Sequence, residues 1–335
     1  MGLIEKLCDA YGPAGREHGV RAIIEQEVKG SCADIQTDRL GNLICRKGPA
    51  KGGGEKIMLC AHMDEIGVIV TYIDKKGFLR FSNIGGVFPA RILHQRVLFE
   101  NGTIGVIGIE PDQDRAKPAA KPKLDLMYID VGARGQEEAQ KFVQIGDIAC
   151  FYQQAVRIGD GRMSAKALDD RIGCYCMIEA MKRVGKTDHD LYFVFSTQEE
   201  MGLRGARTGA YAIEPAYALA IDVTDTGDTP EAHKMQVELG RGVAIKVKDS
   251  SFIANPAIKD RLVELARDRA IPYQFEILEK GTTDAAIIQL VKEGVMSGVL
   301  SIPTRYIHST NEVCDLKDVQ ATIDLLVRAC EKGLG

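Results

Sequence analysis

Along most of this chain short apolar runs alternate with stretches of helical period, and several of the runs stop abruptly in residues that carry chemistry. The clearest is Leu191, Tyr192, Phe193, Val194 and Phe195, followed by Ser196, Thr197, Gln198, Glu199 and Glu200 before a helical pattern begins near Leu203. An apolar, aromatic-rich run bounded by turn residues predicts a buried strand. Residues 56–61 repeat the arrangement and end in His62, Met63, Asp64 and Glu65, while residues 217–221 end in Asp222. Further strands are predicted at 274–277 and 298–303, the second followed by His308. Helical periodicity marks 3–11, 17–28, 172–183, 203–210, 257–268 and 315–332. Asn255 and Pro256 give the helix at 257–268 a cap and a first-position proline. Gly281, Thr282, Thr283 and Asp284 open another helix. Strands alternating with helices predict an α/β fold, a mostly parallel central sheet flanked by helices on both faces.

From about residue 66 to 163 the pattern changes to short strands and turn signals, such as Asp74, Lys75, Lys76, Gly77 and Glu100, Asn101, Gly102, Thr103. This predicts a small β-barrel-like domain inserted into the α/β host, dividing the chain into 1–66, 67–163 and 164–335. A Pro/Lys/Ala-rich run at 112–123 reads as a long excursion from that domain. A β-rich block that interrupts its host is expected to make subunit contacts in a closed, symmetric oligomer.

Composition narrows the function classes. The 335 residues are 45% apolar and 27% charged, ordinary values for a globular protein and ample for a core. A formal net charge of −4, with no cluster of Lys or Arg, gives no footprint for nucleic acid. No apolar run approaches the ~20 residues that span a bilayer, and the start of the chain lacks a signal-peptide pattern. Nine cysteines, odd in number and scattered through apolar segments, read as small hydrophobes of a cytoplasmic protein.

The candidate residues at strand ends and in neighbouring loops are His62, Asp64, Asp169, Glu199, Glu200, Asp222 and His308. Each has an ordinary structural reading when taken singly. Glu199 and Glu200 would face the positive end of the next helix, Asp169 and Asp170 would cap the helix from Ile172, and His62 would be a core histidine beside a solvated Asp64. In an open α/β sheet, however, ligands gather beyond the carboxyl ends of the strands, and these residues recur at that location. The two-residue period puts His62 and Asp64 on the same side of the strand, where Asp64 can orient the imidazole. Two imidazoles and several carboxylates without a thiol suit divalent zinc, cobalt or manganese. One carboxylate between two such ions would make a two-metal hydrolytic site.

One ordered set extends across the chain: Ala61, His62, Met63, Asp64; Ala167, Leu168, Asp169, Asp170, Arg171; Gln198, Glu199, Glu200, Met201, Gly202; Ile221, Asp222, Val223; and Tyr306, Ile307, His308, Ser309. It resembles the tetrahedral (TET), glutamyl-aminopeptidase-like family of cytosolic di-metal peptidases in the MH clan. The resemblance implies a zinc-peptidase-like host fold, two divalent ions per subunit, and a metallo-aminopeptidase that removes N-terminal residues from peptides. By position, it implies that His62 and Asp222 bind one ion, Glu200 and His308 the other, and Asp169 both. Glu199 would be the general base for a metal-activated water, Asp64 would support His62, and Thr282, Thr283 and Asp284 would line the substrate pocket. The inserted domain would mediate dimerisation, and dimers would build hollow dodecamers that admit peptides. The match departs at Asp225, where a histidine is frequent in the family.

Three other readings stand beside this one. A deacylase of N-acyl amino acids would use the same metal site with a differently closed pocket. A glycosidase would need only the paired carboxylates, without imidazoles or metal. A silent scaffold would have no reason to keep both the base and the full ligand set. The residues themselves specify metal hydrolysis and leave the preferred P1 side chain open.

Overall fold

The computed structural model describes residues 2–49, 53–110 and 122–335. The chain begins with α1 (Leu3–Asp9), α2 (His18–Val28), β1 (Asp34–Thr37), β2 (Leu43–Lys47) and β3 (Lys56–His62). An inserted unit follows, made of β4 (Gly67–Ile73), β5 (Leu79–Ile84), α3 (Pro89–Ile92), β6 (Arg96–Phe99), β7 (Ile104–Ile109), β8 (Met127–Asp130), α4 (Gln136–Phe142) and β9 (Ile148–Phe151). The host resumes with β10 (Val156–Ile158), β11 (Arg162–Ala165), α5 (Leu168–Arg183), β12 (Asp190–Ser196), α6 (Arg204–Ile213), β13 (Tyr217–Thr224) and β14 (Val243–Lys248). It closes with α7 (Pro256–Asp268), β15 (Tyr273–Ile277), α8 (Ala285–Ile288), β16 (Met296–Arg305), β17 (Glu312–Asp315) and α9 (Leu316–Lys332).

The host strands form one eleven-stranded sheet in the order β1-β2-β12-β3-β13-β16-β17-β11-β10, with β14 and β15 branching from β16. Its centre, β12, β3, β13 and β16, is parallel, as the alternation of strands and helices predicts. The margins are antiparallel, so the whole sheet is mixed. α1, α2, α5, α7 and α9 contribute to one large apolar core, and α6 and α8 to a second. Cover on both faces explains why β3 and β12 read as near-continuous apolar runs.

β4 to β9 close into a six-stranded antiparallel barrel with its own core around Val68, Phe81, Ile107 and Ile129. The barrel's last strand ends at Phe151, short of the expected boundary near 163. β10 and β11 join the host sheet instead, because β11 pairs with β17, a partner far along the chain that local pattern does not identify. Residues 112–121 of the Pro/Lys/Ala-rich run lie outside the described residues. Among the described residues, no helix is long and apolar enough to cross a membrane.

Buried charge holds the crossing from host to barrel, at Glu65, to two cations of the host. Lys166 Nζ donates to both oxygens of Glu65 at 2.8 and 2.7 Å, and Arg171 Nη2 donates to Glu65 Oε1 at 3.3 Å. Other donors of the two cations go to the carbonyls of Leu7, Ala10 and Gly12, in and just beyond α1. All three charged side chains are buried, so removing the single anion leaves two cations without a counter-charge. Glu65→Gln is therefore expected to destabilise the fold by about 3–5 kcal/mol, read as a lower urea midpoint. An unchanged midpoint would show that the pair contributes nothing to stability.

Candidate metal centre

The parallel register brings the candidate residues to one edge of the sheet. Ser196 aligns with His62 across β12 and β3, and Ala220 aligns with Cys60 across β13 and β3. His62, the Glu199 and Glu200 pair, and Asp222 therefore emerge near the carboxyl ends of neighbouring strands, the expected location for a ligand. Asp169 arrives from the start of α5, and His308 from the loop between β16 and β17. All six line one cavity of about 650 Å³. Asp169 stands between the imidazoles, with Oδ1 3.0 Å from His62 Nε2 and Oδ2 3.3 Å from His308 Nε2. His308 Nε2 is also 3.1 Å from Glu200 Oε1, and Glu199 Oε2 is 4.0 Å from His62 Nε2. Donor atoms of His62, Asp169 and Glu200, and those of His62, Asp170 and Asp222, lie within 4.8 Å of one another.

The backbones of these residues are held by a further layer of carboxylates. Asp169 (φ −75°, ψ 102°) and Asp170 (φ −120°, ψ 38°) precede the regular turns of α5, and the peptide bond between them is cis. Asp170 Oδ1 accepts from the Gly173 N–H at 3.1 Å, so Asp170 does cap the helix, but its Oδ2 accepts from the His62 N–H at 3.1 Å. Both oxygens are thus engaged, which makes Asp170 a holder of His62 despite its nearness to the donor atoms. Asp64 is fully buried rather than solvated, and its oxygens accept from the N–H groups of Glu199 at 2.9 Å and Glu200 at 3.0 Å. Its Oδ1 also lies 3.5 Å from His62 Nδ1. Glu312 Oε2 accepts from the Asp169 N–H at 3.0 Å, and Glu312 Oε1 from the His308 N–H at 2.9 Å. Sequence reading assigns no holding role to Asp170 or Glu312. The only local signal for the first was its helix cap, and none marked the second.

Thr282 and Thr283 line the cavity, and Asp284 does not. It is buried behind the wall, where Oδ2 accepts from Ser196 Oγ at 2.6 Å and from Cys60 Sγ at 3.3 Å. The barrel supplies part of the opposite wall through Gly86, Phe88 and Arg91, and Arg91 donates to the Ile307 carbonyl. A Cβ at Gly86 would meet His308 Nδ1 at 2.5 Å, and one at Gly85 would meet Glu200 Oε2 at 2.8 Å. Glycine at both positions lets the barrel loop approach the centre.

Burial and mutual contact set the charges of the centre. Among the described residues, Asp169, Glu199 and Glu200 have imidazole neighbours but no Lys or Arg ion-pair partner, and Asp222 feels the charges of His62 and Lys246. Burial pushes the Glu199 and Asp222 carboxyls well above the ordinary value and raises Glu200 as well. At Asp169 burial acts in the same direction, but hydrogen bonds from His308 and His62 outweigh it and bring the carboxyl down. Burial lowers both imidazoles, yet their carboxylate partners prevail and hold them above the usual histidine range. Four carboxyl groups face two imidazoles in a mostly buried setting. Oxygen and imidazole donors without thiolate are the set that zinc, cobalt or manganese takes, so the residues present fit a divalent metal.

Comparisons with known proteins agree with this geometry. The family described as M42 glutamyl aminopeptidase matches residues 41–325. A putative aminopeptidase of Acetivibrio thermocellus is 50% identical over 327 residues, covering 98% of this chain and 97% of that protein. The aminopeptidase APDkam598 from the archaeon Desulfurococcus kamchatkensis is structurally similar with a TM-score of 0.94 at 41% identity, covering 99% of this chain and 94% of that one. The Pyrococcus horikoshii TET1 peptidase, described as able to assemble into a tetrahedron or a large octahedral shell, matches with a TM-score of 0.88 at 32% identity, covering 98% of each chain. With family, relatives and site in agreement over nearly its whole length, the chain belongs to the M42 glutamyl aminopeptidase family and is a metal-dependent aminopeptidase.

Proposed function

We propose that this centre holds two divalent ions and removes N-terminal residues from peptides one at a time. His62 and Asp222 would hold one ion, Glu200 and His308 the other, and Asp169 would be shared. The observation that carries this reading is Asp169 itself, which turns one oxygen toward each imidazole, as a carboxylate shared by two ions must. When bound, zinc, cobalt or manganese supplies Lewis acidity at a scissile carbonyl and lowers the pKa of water toward neutrality.

The chain's own residues do the rest. Glu199 Oε2 takes the proton of the attacking water and delivers it to the leaving amine. Asp64 keeps Glu199 and Glu200 in fixed relation by accepting both of their N–H groups. Phe88, Leu203, Leu278 and Ile307 give the cavity apolar wall, while Thr282 and Thr283 face the substrate. Asp284 supports the pocket from behind, through Ser196 at the end of β12. A glycosidase would leave His62 and His308 without a task, and a deacylase differs in the substrate end it reads.

A cytoplasmic homo-oligomer is the setting that fits best. Nine unpaired thiols suit a reducing compartment. The barrel exposes Tyr72, Ile104, Val106, Phe142 and Ile145, apolar surface available for contacts between copies, first as dimers and then as dodecamers. Light scattering is expected to give a multiple of the monomer mass, and a fully active monomer would contradict the assembly.

Two further outcomes test the chemistry. Peptides with a free amino terminus should be shortened stepwise and their acetylated forms left intact. Equal turnover of the two would move the assignment to a deacylase or an endopeptidase. Glu199→Gln should keep its metal while kcat falls by about 10²–10⁴-fold. Glu200→Gln should lose metal from one position, with partial recovery of activity in excess metal. Elemental analysis beside kcat separates the roles, and loss of metal from the Glu199 variant would reverse them.

A further inference from the structure

Glu312 is the first residue of β17, where the hairpin that carries His308 closes by antiparallel pairing of Thr304 with Cys314 and Arg305 with Val313. Its side chain is buried and gives one oxygen to each of two backbones, the N–H of Asp169 at 3.0 Å and the N–H of His308 at 2.9 Å. Neither residue lies in a regular element at that point. Asp169 has non-helical dihedrals, and His308 sits in the left-handed region at φ 60°, uncommon for a residue with a Cβ. A single side chain rooted in the sheet therefore sets how far apart the backbones of Asp169 and His308 stand.

We propose that Glu312 is a positioning residue for the metal position on the His308 side, acting through the two N–H groups it accepts. This rests on the two-ion reading given above. Its effect is separable from ordinary structural support because the molecule contains a matched control. Asp318, near the start of α9, is likewise buried and accepts two backbone N–H groups, those of Gly240 and Gly242 at 2.7 Å each. It does not line the cavity. Glu312→Gln and Asp318→Asn make the same chemical change, preserving shape while turning one acceptor into a donor that faces a backbone N–H.

The test is a cobalt(II) titration of the metal-free full chain followed by visible absorption, with thermal unfolding of each variant alongside. The unsubstituted protein should take up two equivalents. Glu312→Gln should bind cobalt about 10–100-fold more weakly, the usual loss when a group supporting a metal ligand is removed, and the second equivalent most, because Asp169 is shared while His308 serves that position alone. Asp318→Asn should lower the unfolding midpoint and leave both equivalents unchanged. If Glu312→Gln is not recovered folded by circular dichroism, Glu312→Asp replaces it. That variant keeps the charge, withdraws both oxygens, and should weaken the second equivalent in the same way. Unchanged cobalt binding in the folded Glu312 variant, or an equal loss in Asp318→Asn, would overturn the proposal. Fewer than two equivalents on the unsubstituted protein would overturn the two-ion reading and this inference with it, a result visible before any substitution is made.

Discussion

A carboxylate taken out of water needs hydrogen-bond donors, and a backbone N–H where a ladder or helix stops needs an acceptor; at this centre each need answers the other. Asp64 accepts the N–H groups of Glu199 and Glu200, Asp170 that of His62, and Glu312 those of Asp169 and His308. Where such an acceptor is ionised, the bond is roughly twice as strong as a neutral one. They also join segments that are remote in the chain. Because the grip is on backbones, the imidazoles of His62 and His308 and the carboxylates of Asp169, Glu199 and Glu200 are left to face the cavity. That is how a site of like charges is held ready before any cation arrives.

The sheet and the barrel divide the remaining work. Parallel pairing of β12, β3 and β13 puts three chain segments at one edge, where His62, Glu199, Glu200 and Asp222 meet. Where the chain leaves the host for the barrel, Glu65 is held by Lys166 and Arg171 of the host. Gly85 and Gly86 then bring the barrel loop against Glu200 and His308. An insertion that reads as a separate unit is therefore also a wall of the active cavity.

Much of this was legible in the sequence, for a physical reason. Buried strands are continuous apolar runs, so a His or an acid pair at their end stands out, and His62, Glu199, Glu200 and Asp222 were found that way. Asp169 and His308 are weaker candidates when taken singly, since an acid before a helix and a histidine in a loop are common, and the family resemblance supplies their roles. Asp170 and Glu312 were not legible as holders, because what distinguishes them is a bond to the backbone of a residue far along the chain. Asp284 was placed with Thr282 and Thr283, but a helix start turns successive residues in different directions, and its carboxylate points inward to Ser196 and Cys60. The end of the barrel is not legible for a similar reason, as β11 is assigned to the host by its pairing with β17 and not by its own residues.

The central claim is that one set of carboxylates holds and another binds. Anomalous diffraction from crystals of the zinc-loaded protein tests it most directly. Two peaks are expected, one against His62 and Asp222 and one against Glu200 and His308, with Asp169 touching both and with Asp64, Asp170 and Glu312 touching neither. A single peak, or an ion ligated by Asp170 while Asp169 stands free, would contradict the account.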